Sequence, residues 1–234
     1  MADAYFLIAL FAGIIPACFW LWFWLREDTE QPEPWALVAV SFLSGMLAVP
    51  LVLPLQQMAA DLYRGDTQMF MFVVIEEAMK YLIALLVVLW NRAVDEPVDL
   101  IMYMIFVALG FAALENALFI YNPLGQGQYL ESFFTGGLRF VGATLLHVLA
   151  SASVGVCMAL AFYRSNTTRL IYGTVGLCIA IVLHALFNFS IMSSTAEGVL
   201  FVFMFVWLGV IALFVAFEKV KQLQRPITKT TSRV

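Results

Sequence analysis

An all-α polytopic membrane protein of about seven helices is the fold this sequence predicts, and three observations predict it. Of 234 residues, 63% are apolar and 12% are charged, about half the charged fraction of an ordinary soluble domain. The apolar residues gather into seven stretches, each of about 20 residues or more, the length at which a helix crosses the ~30 Å hydrocarbon layer. The connections between the stretches are short, which leaves no room for a soluble domain with its own core.

The expected spans are 4–25, 35–55, 69–90, 100–121, 138–162, 170–191 and 198–217. Backbone groups in lipid must be satisfied within their own segment, so runs of this length are helices. The first follows Met-Ala-Asp-Ala, with no basic residue and no small-x-small cleavage site, and reads as a span rather than a signal peptide. Pro50 and Pro54 bend the second. The third to sixth carry the polar residues considered below, and the fifth follows the longest connection, Asn122 to Gly137. After the seventh, a Thr-rich tail beyond Arg225 reads as disordered. Residues 1–225 are therefore expected to form a single transmembrane domain with a catalytic core at 69–191, and 226–234 a short flexible cytoplasmic tail.

Loop charges set the orientation. Arg26, Arg92, Arg164, Arg169, Lys219, Lys221, Arg225, Lys229 and Arg233 fall on one side, against Arg64 alone on the other. Basic loops stay cytoplasmic, so the N-terminus is expected outside and the C-terminus inside, in the plasma (cytoplasmic) membrane. A net charge of −4, with no basic stripe ahead of the tail, excludes a nucleic-acid partner. Cys18, Cys157 and Cys178 lie in apolar segments without C-x-x-C spacing and suggest neither disulfides nor a thiolate metal site.

Ionisable residues are segregated. Spans one, two and seven have none, whereas spans three to six hold Glu76, Glu77, Lys80, Glu115, Arg139, His147 and His184. Each costs roughly 2.5–3.5 kcal/mol to insert, so the group must be offset by pairing, water or an ion. Counted from the outer helix ends at about 1.5 Å per residue, Glu76 and Glu77 lie about 11 to 12 Å deep, Glu115 about 9, His147 about 14 and His184 about 11. Helices of alternating direction thus bring polar groups to one level in the outer half of the bilayer. Glu76 and Lys80, four apart, share a face in the orientation favouring an ion pair, while Glu77 points about 100° away. Lys80 reads as a counter-ion, and Arg139, at a helix end, as a residue that snorkels outward. His184 and Asn188 share another stripe, and Asn116 adds an amide beside Glu115. Ala108 with Ala112, Ser151 with Gly155, and Gly173 with Gly176 mark close packing among the fourth to sixth spans.

Carboxylates, imidazoles and an amide are what hydrolysis inside a membrane needs: a base for water, a donor for the oxyanion and an acid for the leaving amine. Ser151 stands four residues after His147, but such hydroxyls bond back to their own helix, and no serine nucleophile is expected.

Glu76-Glu77-Ala-Met-Lys80 resembles an EExxK motif and Phe111-Ala-Ala-Leu-Glu115-Asn116 an FxxxEN motif. With His147, and with His184 and Asn188 in the next two helices, the chain from 70 to 190 resembles PrsW-type intramembrane proteases. That family is grouped with the CAAX-processing and bacteriocin-immunity-type membrane proteases. Where the CAAX-type relatives carry FxxxH, this chain has Glu115. The resemblance implies an endopeptidase cutting another membrane protein, at a transmembrane segment near the outer side of the bilayer. It also implies a glutamate-centred mechanism: Glu76 or Glu77 activates water, His184 and Asn188 stabilise the oxyanion, and His147 and Glu115 orient groups or shuttle protons.

A metal-free site is the favoured expectation. The alternative is a Zn²⁺ protease with ligands drawn from Glu77, Glu115, His147 and His184, which lack the local H-E-x-x-H arrangement. From other classes, a proton- or cation-coupled transporter would also gather Glu, His and Lys at one depth, although inverted repeats are not evident. A bis-histidine haem carrier ranks below it, and a noncatalytic scaffold is a further rival.

Overall fold

A computed structural model describes residues 2–27, 32–193 and 196–223. The expected flexible tail, 226–234, lies outside the described residues. Helices α1 (Ala2–Glu27), α2 (Trp35–Leu62), α3 (Gly65–Val87) and α4 (Pro97–Gly125) are followed by α5 (Tyr129–Leu138), a π-helical turn at Arg139–Ala143, α6 (Thr144–Leu160), α7 (Asn166–Ser193) and α8 (Ala196–Lys221). Since α5, the π turn and α6 run on without a break, the described residues form seven rods, and the all-α polytopic fold is borne out. Six rods are long and apolar enough to cross a membrane. The remaining one, α3, has 23 residues and carries Asp66, Glu76, Glu77 and Lys80. At ~1.5 Å per residue it is as long as a span needs to be; its charges are what set it apart.

Sequence punctuation fixes the rod ends. Gly65, at φ +59°, takes the left-handed turn that reverses the chain between α2 and α3. Pro97 opens α4, where a missing N–H costs nothing, and the backbone N–H of Glu96 donates to Asp99 Oδ2 at 2.9 Å in a reciprocal capping box. The stretch from Asn122 to Gly137, expected as a connection, is mostly helical: α4 continues to Gly125 and α5 begins at Tyr129. Ser132 Oγ donates to the Ile120 carbonyl at 3.0 Å and folds α5 back on α4, a tertiary contact that the glycines of this stretch do not betray.

Helix α4 is the axis. In its most apolar window 94% of residues are buried, against 72% for the rod that ends in α6, 17% for α1 and 22% for α8, so α4 with α6 beside it forms the core, and α1 and α8 belong to its coat. Close approach is permitted by glycine. Added Cβ atoms at Gly45 and Gly110 would strike the backbone of Val107 and Phe42 respectively, which locks α2 on α4, and one at Gly155 would lie 2.6 Å from Ile101 Cα, which sets α6 on its other side. The close packing expected among the fourth to sixth spans is present, and α2 joins it. Helices α1 and α8 meet through stacked Trp24 and Phe214, with ring centroids 5.1 Å apart. Their outer faces, such as Phe11 on α1 and Leu208 on α8, stay exposed, as suits lipid-facing support.

Candidate active site

All four polar helices deliver their groups to one place. Glu76, Glu77 and Lys80 come from α3, Glu115 and Asn116 from α4, His147 from α6, and His184 and Asn188 from α7. Glu76, Glu77, Lys80, Asn116, His147 and His184 are buried, and a buried charge persists only if paired or hydrogen-bonded.

Pairing is nearly complete. Lys80 Nζ donates to Glu77 Oε1 at 2.5 Å and to His147 Nδ1 at 2.9 Å. An ammonium has no lone pair, so His147 Nδ1 must accept, and its Nε2–H donates to Glu115 Oε2 at 3.0 Å. Glu77 Oε1 also accepts from His184 Nδ1 at 2.6 Å, which leaves His184 Nε2 bare. The two imidazoles stand edge to face, 5.0 Å between centroids. Arg139 closes the ring: its guanidinium pairs with Glu115 and donates from Nε to Asn116 Oδ1 at 2.5 Å.

Two expected contacts are corrected. Lys80 pairs with Glu77, three residues before it, and not with Glu76. Both spacings bring side chains together on a helix; the choice falls to the surroundings, since His184 and His147 lie on the Glu77 side while Glu76 accepts from Gln56 Nε2 of α2 at 2.8 Å. Arg139 turns inward instead of snorkelling. It sits at the head of the π turn, where the Thr144 hydroxyl donates to its carbonyl at 3.0 Å and Asn116 Nδ2 donates to that hydroxyl at 2.9 Å. The wider turn is held by side chains and presents the guanidinium to α4, in keeping with the frequent use of π bulges at functional sites.

A cavity of about 560 Å³ opens beside this network. Glu76, Glu115, Arg139, His147, His184 and Asn188 line it, whereas Glu77 and Lys80 lie behind the wall. Glu76 differs from the other acids. Its Oε2 is buried with no hydrogen-bond partner among the described residues, 3.8 Å from His184 Nε2. With Nδ1 donating to Glu77, a lone pair on Nε2 would face the Glu76 carboxylate, and a proton on one of the two groups or a cation shared by them removes that repulsion. Glu76, His147 and His184 each offer one donor atom, all within 4.8 Å of one another. Asn188 is half-buried, and no hydrogen bond ties it down among the described residues. Ser151 does not bond back to its helix as expected: its Oγ is buried without a partner among the described residues, and it makes no hydrogen bond to His147.

Gln56 and Thr144 are not legible in the sequence as site residues. Gln56 falls one position beyond the expected end of span two, and the only signal is its place in a polar Gln-Gln pair, into which α2 continues. Thr144 looks like any small residue in a transmembrane helix.

A polar chamber walled by apolar helices is what peptide hydrolysis within a bilayer requires. The sequence profile described as PrsW family intramembrane metalloprotease matches residues 33–216, and the chain belongs to that family. It is 28% identical over 182 residues to Protease PrsW of Bacillus subtilis (strain 168), covering 76% of this chain and 80% of the relative. Protease PrsW of Clostridioides difficile (strain 630) is 28% identical over 179 residues, 73% of this chain and 74% of its own. Protease PrsW of Geobacillus kaustophilus (strain HTA426) is 27% identical over 216 residues, 90% of each. No solved structure matches the chain.

Proposed function

We propose that the protein is an endopeptidase that cuts another membrane protein near the outer side of the bilayer, with Glu76 as the group that activates water. One observation carries the assignment: Glu77 and Glu115 are each held by a cation, Lys80 and Arg139, while Glu76 lines the cavity and its buried Oε2, without a hydrogen-bond partner among the described residues, lies 3.8 Å from His184 Nε2. The loop charges support the outer-side placement, because they favour an outside position for the ends of α4 and α7 nearest Glu115 and His184.

A water between Glu76 Oε2 and His184 Nε2 loses its proton to Glu76 as its oxygen adds to the scissile carbonyl carbon. The oxyanion is met by the Asn188 amide, which is free to turn toward it. Collapse of the tetrahedral species breaks the C–N bond, and the proton held by Glu76 passes to the leaving amine. Glu77 fixes the His184 tautomer, and Lys80 ties Glu77 to His147, so the reactive faces are set before substrate arrives.

The three convergent donors favour a second reading. Glu76, His147 and His184 fit a divalent cation; when bound, it would supply Lewis acidity and an acidified water. In that reading Glu77 supports His184 from behind, the usual carboxylate–histidine arrangement around a metal, and Glu115 does the same for His147. Because Lys80 and Glu115 engage both nitrogens of His147, that ring gives up one bond to become a ligand, and the glutamate reading therefore stands first.

The test is purified protein in liposomes with a panel of single-span substrates, wild type against Glu76→Gln, with products located by mass spectrometry. Cleavage near the outer boundary by wild type and not by Glu76→Gln is the expected result. Ion flux without cleavage would put a transporter in its place.

A further inference from the structure

A second hollow lies against the first. Between α7 and α8, with α6 as its floor, runs a groove of about 590 Å³ that carries no ionisable side chain among the described residues. Its walls include Leu186 on α7 and Phe201, Val202 and Phe205 on α8, and Leu186, Phe201 and Phe205 are among the exposed apolar side chains. Although α7 and α8 are consecutive in the chain, α8 packs chiefly on α6. Leu146 and Phe187 line both the groove and the polar cavity. Those two are near neighbours of the histidines: Leu146 precedes His147, and Phe187 lies three residues after His184, on the same helical face.

We propose that this groove is the lateral entrance for the substrate, receiving an apolar transmembrane helix between α7 and α8, with Leu146 and Phe187 as the inner gate to the cavity. The inference rests on the protease reading and adds the route. A helix about 10 Å across cannot reach Glu76 through the tightly packed α2–α4 and α4–α6 contacts, where glycine backbones touch. In the groove it meets only apolar side chains and glycine apart from one serine, Ser190, and so gives up no polar solvation on leaving lipid. Its backbone then lies one side chain away from both imidazoles. An acyl chain would also fit the groove, but continuity with a site built to cut peptide bonds favours the helix.

The experiment uses full-length protein in liposomes with a single-span substrate and, in parallel, a short soluble peptide covering the cleavage site. Benzoylphenylalanine is placed at Phe205 in the groove or at Phe11 on the lipid face of α1. Substrate adducts at 205 and not at 11 are expected; equal labelling at both, or lipid adducts alone at 205, overturns the proposal. Val202→Trp, which fills the groove, should raise KM for the single-span substrate by about tenfold, the scale of losing one large buried apolar side chain, and leave peptide hydrolysis unchanged. If both substrates are affected equally, or neither is, the gate is elsewhere. Should Val202→Trp fail to fold, the labelling result decides by itself. Wild type that cleaves neither substrate refutes the protease reading, an outcome separate from failure of the gate.

Discussion

Glu77 on α3 and His184 on α7, 107 residues apart in sequence, are joined by a 2.6 Å hydrogen bond from Nδ1 to Oε1. That one bond fixes a tautomer, turns Nε2 of the imidazole toward Glu76 and removes Glu77 from the cavity wall. The adjacent glutamates of the motif are therefore held differently: Glu77 is tied to Lys80 and His184, while Glu76 lines the cavity.

Glu76→Gln and Glu77→Gln should separate along this line. Glu76→Gln is expected to lower cleavage by about 10²–10⁴-fold, the worth of a positioned base, with little change in thermal unfolding. Glu77→Gln leaves Lys80 buried without its counter-ion and should also destabilise the protein, by about 3–5 kcal/mol. Thermal scans in detergent beside activity assays read both, and equal stability of the two variants would refute the division.

The Lys80–Glu77 pair predicts non-additivity. Lys80→Met or Glu77→Leu alone strands a charge that has 0% or 1% side-chain exposure, whereas the double variant strands none. The double variant should be more stable than either single one, with a coupling energy of about 0.5–3 kcal/mol. Additive losses in denaturation curves would mean that the pair does not hold the helices as described.

Arg139→Lys keeps the charge and loses the fork that spans Glu115 and Asn116. A lysine cannot serve two acceptors in fixed geometry, so kcat should fall by about 10–100-fold, the usual cost of losing a supporting contact behind a reactive group, with KM little changed. Full activity in the Arg139→Lys variant would show that charge alone suffices.

Asn188 is the cleanest catalytic test, because no structural hydrogen bond depends on it among the described residues. Asn188→Ala should reduce kcat by about 10²–10³-fold, as for loss of an oxyanion donor, and leave the unfolding temperature unchanged. A fall in stability in place of activity would recast it as a packing residue.

Exhaustive chelation should leave cleavage intact if Glu76 acts alone. Loss reversed by Zn²⁺, together with bound metal in wild type that disappears in Glu76→Ala and His184→Ala, would establish the cation reading instead.

Much of this is written in composition and spacing. Runs of apolar residues too long for any soluble core specify helices that span a bilayer, since lipid offers the backbone no other partner. The segregation of Glu76, Glu77, Glu115, His147 and His184 into four of those helices marks the site, because ionisable groups survive in hydrocarbon only where they meet. Small residues such as Gly155 foretell where backbones touch. What sequence could not settle is direction around each helix axis. Lys80 is within reach of both Glu76 and Glu77 along its own helix, and only the histidines arriving from α6 and α7, and Gln56 from α2, decide which acid it takes. Arg139 would reach for the interface on an isolated helix; a π turn closed by Thr144 and Asn116 brings it inward. Periodicity along a chain fixes which residues share a face, but which neighbour that face meets is a property of packing between helices distant in sequence, and the chemistry of this site depends on that choice.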